Sequence, residues 1–218
     1  MWEWRFFCDL ASASYFFTNQ TDLESAINSE DHEIRFDRYV NLRTPELGLK
    51  FRNIRNNVRK ALLELKVLFQ TNQWKAEFWE KPIRRYTFTH PGREVIPTIL
   101  HEESNKLYPE LSKKINWILD HISSKELEFT TIKKKRKILH LYDPNKVVKS
   151  KFQIPKASTR IEQTVVEFNQ TTWKTISIQS YNDQTIKGIL DNLAIDERYI
   201  ISGYPGFLIG QSTTNNNL

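Results

Sequence analysis

Apolar and charged side chains alternate one for one along several short stretches of this chain. Trp2-Glu3-Trp4-Arg5-Phe6-Phe7 opens the pattern. Gly48-Leu49-Lys50-Phe51-Arg52 and Leu62-Leu63-Glu64-Leu65-Lys66-Val67-Leu68 repeat it. Successive side chains of a strand point to opposite faces. Glu3 therefore shares a face with Arg5, Lys50 with Arg52, and Glu64 with Lys66. Trp2, Trp4, Phe6, Leu49, Phe51, Leu63, Leu65 and Val67 line the other face. If such a sheet curls, its charged face becomes a polar lumen of bases interspersed with acids. That setting suits a polyphosphate together with a metal.

The same reading extends along the chain. Residues 1–8 form a strand, and a short helix is expected around Asp22–Asn28. Ile34–Val40 alternates, with Arg35, Asp37 and Tyr39 on one face and Ile34, Phe36, Arg38 and Val40 on the other. The Thr44-Pro45-Glu46 turn leads into Gly48–Arg52. The basic, Asn-rich segment Asn53–Lys60 reads as a hairpin connection to a strand over Leu62–Gln70. Residues 71–92 combine Trp74, Phe78 and Trp79 with the basic stretch Lys81–Arg85, and Pro82 argues against a helix there. The clearest helix lies within 94–123. Its Leu107, Leu111, Ile115, Ile118, Leu119 and Ile122 form a stripe at helical spacing, fit to pack outside a sheet. Strands follow at 129–140, 160–168 and 173–180, then a helix over Gln184–Leu193. Residues 199–210 read as a docking segment with turns. Residues 1–210 are expected to form a single domain, and the polar Asn-rich tail 211–218 to be disordered.

The run Lys133–Lys137 admits two readings: a solvated basic patch or localisation signal, or a strand whose Lys134 and Arg136 face one way and whose Lys133, Lys135 and Lys137 face the other.

Charge sharpens this picture. The 218 residues carry a formal net charge of +6, which favours anionic partners such as phosphates, nucleic acid or an acidic protein surface. Aromatic residues make up 12% of the chain, enough to build a core on rings. One cysteine, Cys8, excludes an internal disulfide framework and fits a reducing compartment. No stretch approaches the roughly 18 apolar residues of a membrane span. The expected location is the cytoplasm or nucleus, with no membrane partner.

Several chemistries lack their residues. No Gly-rich phosphate loop is present among the six glycines. No paired Cys or His spacing suggests zinc. The histidines His32, His90, His101, His121 and His140 are scattered, and no GxSxG segment exists.

The ordered set of short pieces resembles the CYTH, or triphosphate tunnel metalloenzyme, superfamily. The pieces are Glu3-Trp4-Arg5, Arg35–Val40, Leu47–Arg52, Leu63–Lys66, Lys133–Arg136 and Glu162–Phe168, and they span nearly the whole chain. The resemblance implies an α+β fold: a closed antiparallel β-barrel with helices packed outside, whose tunnel binds triphosphate-like substrates and holds Mg²⁺ or Mn²⁺. It implies phosphate-binding roles for Arg5, Lys50, Arg52, Lys66, Lys134 and Arg136. It assigns catalysis and metal binding to Glu3 and Glu64, with Glu162 or Glu167 as a further metal ligand. Those two lie on opposite faces of a regular strand, so without a bulge only one faces a tunnel. The chain also departs from the pattern. Met1 stands at the family's first glutamate, the opening base is Arg5, and Ser177 and Gln179 replace acids of a late strand. The anion-binding half of the pattern is kept better than the metal-binding half.

Three functions are compatible with these residues. The first is a metal-dependent phosphohydrolase cleaving a phosphoanhydride of a nucleotide, inorganic triphosphate or RNA 5′-triphosphate. The second is a tunnel that binds a phosphate, nucleotide or RNA end without turnover. The third is an interaction module that recruits a protein, or nucleic acid through the aromatic and basic segment Trp74–Arg85. The enzyme reading is preferred.

Overall fold

The computed structural model describes residues 1–9, 21–52, 61–87, 94–124, 127–141, 159–191, 193, 195 and 197–214. Its strands are β1 (Trp2–Asp9), β2 (Glu33–Val40), β3 (Leu47–Arg52), β4 (Ala61–Thr71), β5 (Glu77–Thr87), β6 (Phe129–Leu141), β7 (Thr159–Phe168), β8 (Thr171–Ser180) and the two-residue β9 (Ile200–Ile201). Its helices are α1 (Thr21–Ser29), α2 (Val95–Ser104), α3 (Pro109–Ser124), α4 (Asp183–Leu190) and α5 (Tyr204–Thr214).

The strands hydrogen-bond in the order β5-β4-β3-β2-β6-β7-β8-β1, and β1 also pairs with β5, so eight antiparallel strands close into a barrel. The closing pairs are Trp2 with Phe78 and Glu3 with Glu77. β9 adds to β1 opposite Phe6 and Phe7. The expected α+β barrel with external helices is the observed fold.

Most strands lie where alternation places them; four segments differ. Residues 77–87 form β5 despite Pro82. Proline removes a ladder donor, but β1 pairs with β5 only at Glu77 and Phe78, so Pro82 lies beyond that seam. The single helix expected within 94–123 is two helices. The break at Asn105–Tyr108 is followed by Pro109 as the first residue of α3, where a missing N–H costs nothing. Residues 199–210, read as turns, hold β9 and the start of α5. Pro205 sits in the first turn of α5, and Gly206 and Gly210 are tolerated because packing outweighs propensity. α5 runs to Thr214, into the segment read as a polar tail; residues 215–218, like Asn53–Lys60, lie outside the described residues.

The chain divides into two compact units. One comprises Met1–Ile34, Gln70–Trp79 and Lys134–Gly203. Its core joins Trp4, Phe6, Ile161, Ile176 and Ile178 of the wall to Ile27 of α1 and Ile186 of α4. The α4 start is fixed by Asn182, whose side-chain oxygen accepts from Gln184 N at 2.9 Å. The other unit comprises Arg35–Phe69, Glu80–Lys133 and Tyr204–Leu218. Here Leu49, Phe51, Leu63, Leu65 and Val67 pack against Ile96 and Leu100 of α2 and Leu111, Ile115 and Ile118 of α3. In both units these helices, α1 and α4 in the first and α2 and α3 in the second, cover the apolar face of the sheet. In a closed barrel, the opposite, ionic face is then the inner one.

Candidate anion-binding wall

In the first unit, strand register builds the inner face. Arg5 lies opposite Ser177, and Ser177 opposite Glu162; Glu3 lies opposite Gln179, and Gln179 opposite Arg160. Glu3 and Glu162 are 3% and 2% exposed, so they remain charged only if paired. Arg5 pairs with both: its Nε donates to Glu3 Oε1 at 3.2 Å and its Nη2 to Glu162 Oε1 at 3.4 Å. Glu3 Oε2 accepts from Gln179 at 3.1 Å. Glu162 also accepts from Thr164 at 3.2 Å, from Arg136 Nη1 at 2.7 Å and from Arg160 Nη2 at 3.5 Å. Arg136 also donates to the exposed Glu33 at 2.6 Å. Burial pushes the Arg160 guanidinium below its ordinary range; Glu162 and Glu3 oppose this, while Arg136 and Arg5 add to it. Phe7, next on the same face and fully buried, ends the ionic row.

β6 settles the Lys133–Lys137 question. Lys134 and Arg136 are buried, Lys135 is exposed, and Lys133 and Lys137 are half-buried. Glu162 turns inward, whereas Glu167 lies exposed on the outer face, which removes it from the wall. An undistorted strand puts residues five apart on opposite faces.

The second unit has its own ladder. Asp37 lies opposite Arg52, Tyr39 opposite Lys50, and Lys50 opposite Glu64. Arg35 Nη2 donates to Asp37 Oδ2 at 2.9 Å. Lys50 Nζ lies 3.6 Å from Asp37 and 3.4 Å from Glu64, and donates to Tyr39 Oη at 3.1 Å. Arg52 Nη1 donates to Glu64 Oε2 at 2.8 Å, and Arg84 Nε lies 3.5 Å from the same oxygen. Burial alone would raise the Glu64 carboxyl. Lys50, Arg52, Lys81 and Lys66 more than offset that and hold it well below the ordinary carboxylate range. Burial lowers the Lys50 ammonium, against the pull of Asp37 and Glu64. Lys66, opposite Gly48 on the same face, is half-buried.

The start of α5 seats on this inner face. Tyr204 stacks on Tyr39 at 5.7 Å. A Cβ on Gly48 would stand 3.0 Å from Pro205 Cγ, so the close approach of α5 to β3 favours glycine there.

Each candidate read from the sequence is thereby placed. Glu3, Arg5, Lys134, Arg136 and Glu162 line the wall of one unit, and Lys50, Arg52, Glu64 and Lys66 that of the other. The sequence reading missed Arg160, Asp37, Tyr39 and Tyr204. Arg160 and Asp37 share a face with Glu162 and Arg35 respectively, a signal that was present but unused. The rings of the Trp74–Arg85 segment mostly cover the barrel. Trp74 packs against the apolar cluster, and buried Trp79 donates its indole N–H to Glu77 at 2.9 Å.

The inner carboxylates bear on the expected metal. Among the described residues no three Asp, Glu, His or Cys gather as a metal-binding group. Both oxygens of Glu3 and of Glu162 already accept from side-chain donors, and the Arg5 guanidinium bridges the two carboxylates. Mg²⁺ requires hard oxygens in octahedral array. This donor set suits guanidinium and does not fit a divalent ion held by the protein alone.

No protein-family model matches this chain, and no curated protein matches it. Solved structures do. HpAC1 from Hippeastrum, described as a candidate adenylyl cyclase with a dominant triphosphatase activity, aligns with a TM-score of 0.51 at 16% identity, over 97% of this chain and 95% of its own. A candidate adenylate cyclase of Bacillus halodurans aligns with a TM-score of 0.45 at 11% identity, over 89% and 92%. The PH1819 protein of Pyrococcus horikoshii aligns with a TM-score of 0.41 at 13% identity, over 96% and 99%. The likeness to HpAC1 is one of fold. No helix among the described residues is long and apolar enough to cross a membrane.

Proposed function

We propose that this protein, whose barrel has the triphosphate-tunnel fold that its sequence resembles, is a phosphohydrolase. It would cleave a phosphoanhydride of a triphosphate-containing substrate on the basic inner wall. One observation carries this reading: guanidinium and ammonium groups are buried in the wall of each unit and held in place by carboxylates. Donors fixed in a water-poor wall stabilise charge developing on phosphoryl oxygens without reorganising. In this role the cations of either wall, Arg5, Lys134 and Arg136 in one unit or Lys50, Arg52 and Lys66 in the other, bind phosphate oxygens. Glu64 and Glu3 orient those cations, and one of them directs the attacking water. Nucleotides, inorganic triphosphate and RNA 5′-triphosphate all present the required group. Mg²⁺ or Mn²⁺ enters with the substrate's phosphates.

The experiment is phosphate release from these three substrates with Mg²⁺ or Mn²⁺. Release is expected, and Glu64→Gln should lower it at least about a hundredfold. Arg52→Gln, at a more accessible site, is a second variant should Glu64→Gln fail to fold. Absence of release by the folded wild-type protein overturns the reading.

A second reading, a binding tunnel without turnover, is favoured by the arginine pairing of Glu162 and by Ser177 and Gln179 where the resemblance places acids. Tight tripolyphosphate binding with no phosphate release would select it.

A further inference from the structure

Buried polar atoms of a native wall are normally satisfied. In the first unit, the buried side-chain atoms among the described residues that lack a hydrogen-bond partner are Arg136 Nε, Arg160 Nε, Ser177 Oγ and, in the apolar cluster, Trp74 Nε1. The three outside that cluster are donors on the inner faces of β6, β7 and β8, around one carboxylate. Arg136 and Arg160 both donate to Glu162 Oε2, at 2.7 and 3.5 Å, and Ser177 lies opposite Glu162 in register. Arg136 is 6% exposed and Ser177 fully buried. One carboxylate oxygen thus serves two guanidinium groups, of which Arg136 also pairs with Glu33, and each keeps an Nε–H still to place.

Unsatisfied donors, two of them on guanidinium groups, call for an anionic acceptor. We infer that Arg136, Arg160 and the Ser177 hydroxyl form a seat for one phosphoryl-class anion, bound directly to the protein with no divalent ion between. Glu162 is the positioning residue of this seat: it holds the two guanidinium groups together and sends their remaining N–H groups to the ligand. Arg160 becomes a binding residue, and Ser177 a donor where an acid would repel the anion. The inference rests on the proposed function for the identity of the ligand, a triphosphate, and it states which part of the wall takes phosphate without metal.

The test is calorimetric titration of sodium tripolyphosphate into the full chain in EDTA, alongside phosphate-release assays with Mg²⁺ on the same preparation. Wild-type protein should bind in EDTA. Arg160→Gln should weaken that binding by about tenfold to a hundredfold, the loss of a charge-assisted hydrogen bond, in a variant that still unfolds cooperatively. Ser177→Asp, which places a second carboxylate beside Glu162, should abolish binding in EDTA. Binding by the wild type only when Mg²⁺ is present, or wild-type affinity in Arg160→Gln, overturns the inference. Phosphate release without EDTA-resistant binding removes the seat and keeps the hydrolase; EDTA-resistant binding without release does the reverse.

Discussion

Glu64 shows what a single buried carboxylate does here. It is 1% exposed and pairs with Lys50 and Arg52. Removing one partner of a buried ion pair strands the others, so Glu64→Gln should cost about 3 kcal/mol in urea unfolding. Because the folded-state pKa of Glu64 lies below its ordinary 4.5, its ionisation stabilises the protein above that pH. The contribution is lost as pH falls. Wild-type stability should therefore fall progressively as pH drops below about 5, without levelling off by about pH 3, and Glu64→Gln should flatten that slope. Cys8 behaves differently. Burial, with a smaller push from Asp9 and opposition from Lys174, raises its thiol to about 11. Iodoacetamide at pH 8 should label it only once the protein is unfolded.

At the scale of elements, α3 carries the largest apolar stripe, and its Ile115 and Ile118 are fully buried against β3 and β4. Ile115→Ala should lower stability by about 2–5 kcal/mol, read as a shifted urea midpoint with unchanged slope. Trp117, exposed and stacked on His121, should tolerate alanine with little change. This contrast also explains which elements were legible. Strict alternation marks β1, β3, β4 and β8, and helical spacing marks α3, because one face of each meets a core. β5 carries Pro82, which argues against a helix without announcing a strand, and α5 carries proline and glycines that local rules read as turns. Their neighbours, the short seam with β1 and the Tyr39–Gly48 surface, made those residues acceptable.

For the whole molecule the decisive event is closure at the seam of β1 and β5, where Trp2 meets Phe78 edge-on at 5.3 Å. Trp2→Ala removes that ring contact and should lower stability by about 2 kcal/mol, measured by equilibrium unfolding. Closure is also what turns a row of alternating charges into an inner wall. The same Glu3, Arg5, Lys50 and Glu64 on an open sheet would be solvated and would bind phosphate weakly.

The chain alone therefore determined which side chains share a face, since that follows from the two-residue period of a strand and needs no neighbour. It determined the identity of most wall residues and the barrel class implied by their order. Only tertiary structure decided their partners, because those depend on register between strands distant in sequence. Register put Ser177 beside Glu162, brought Arg160 and Arg136 to one oxygen, turned Glu167 outward, and set the Arg5 guanidinium between two carboxylates.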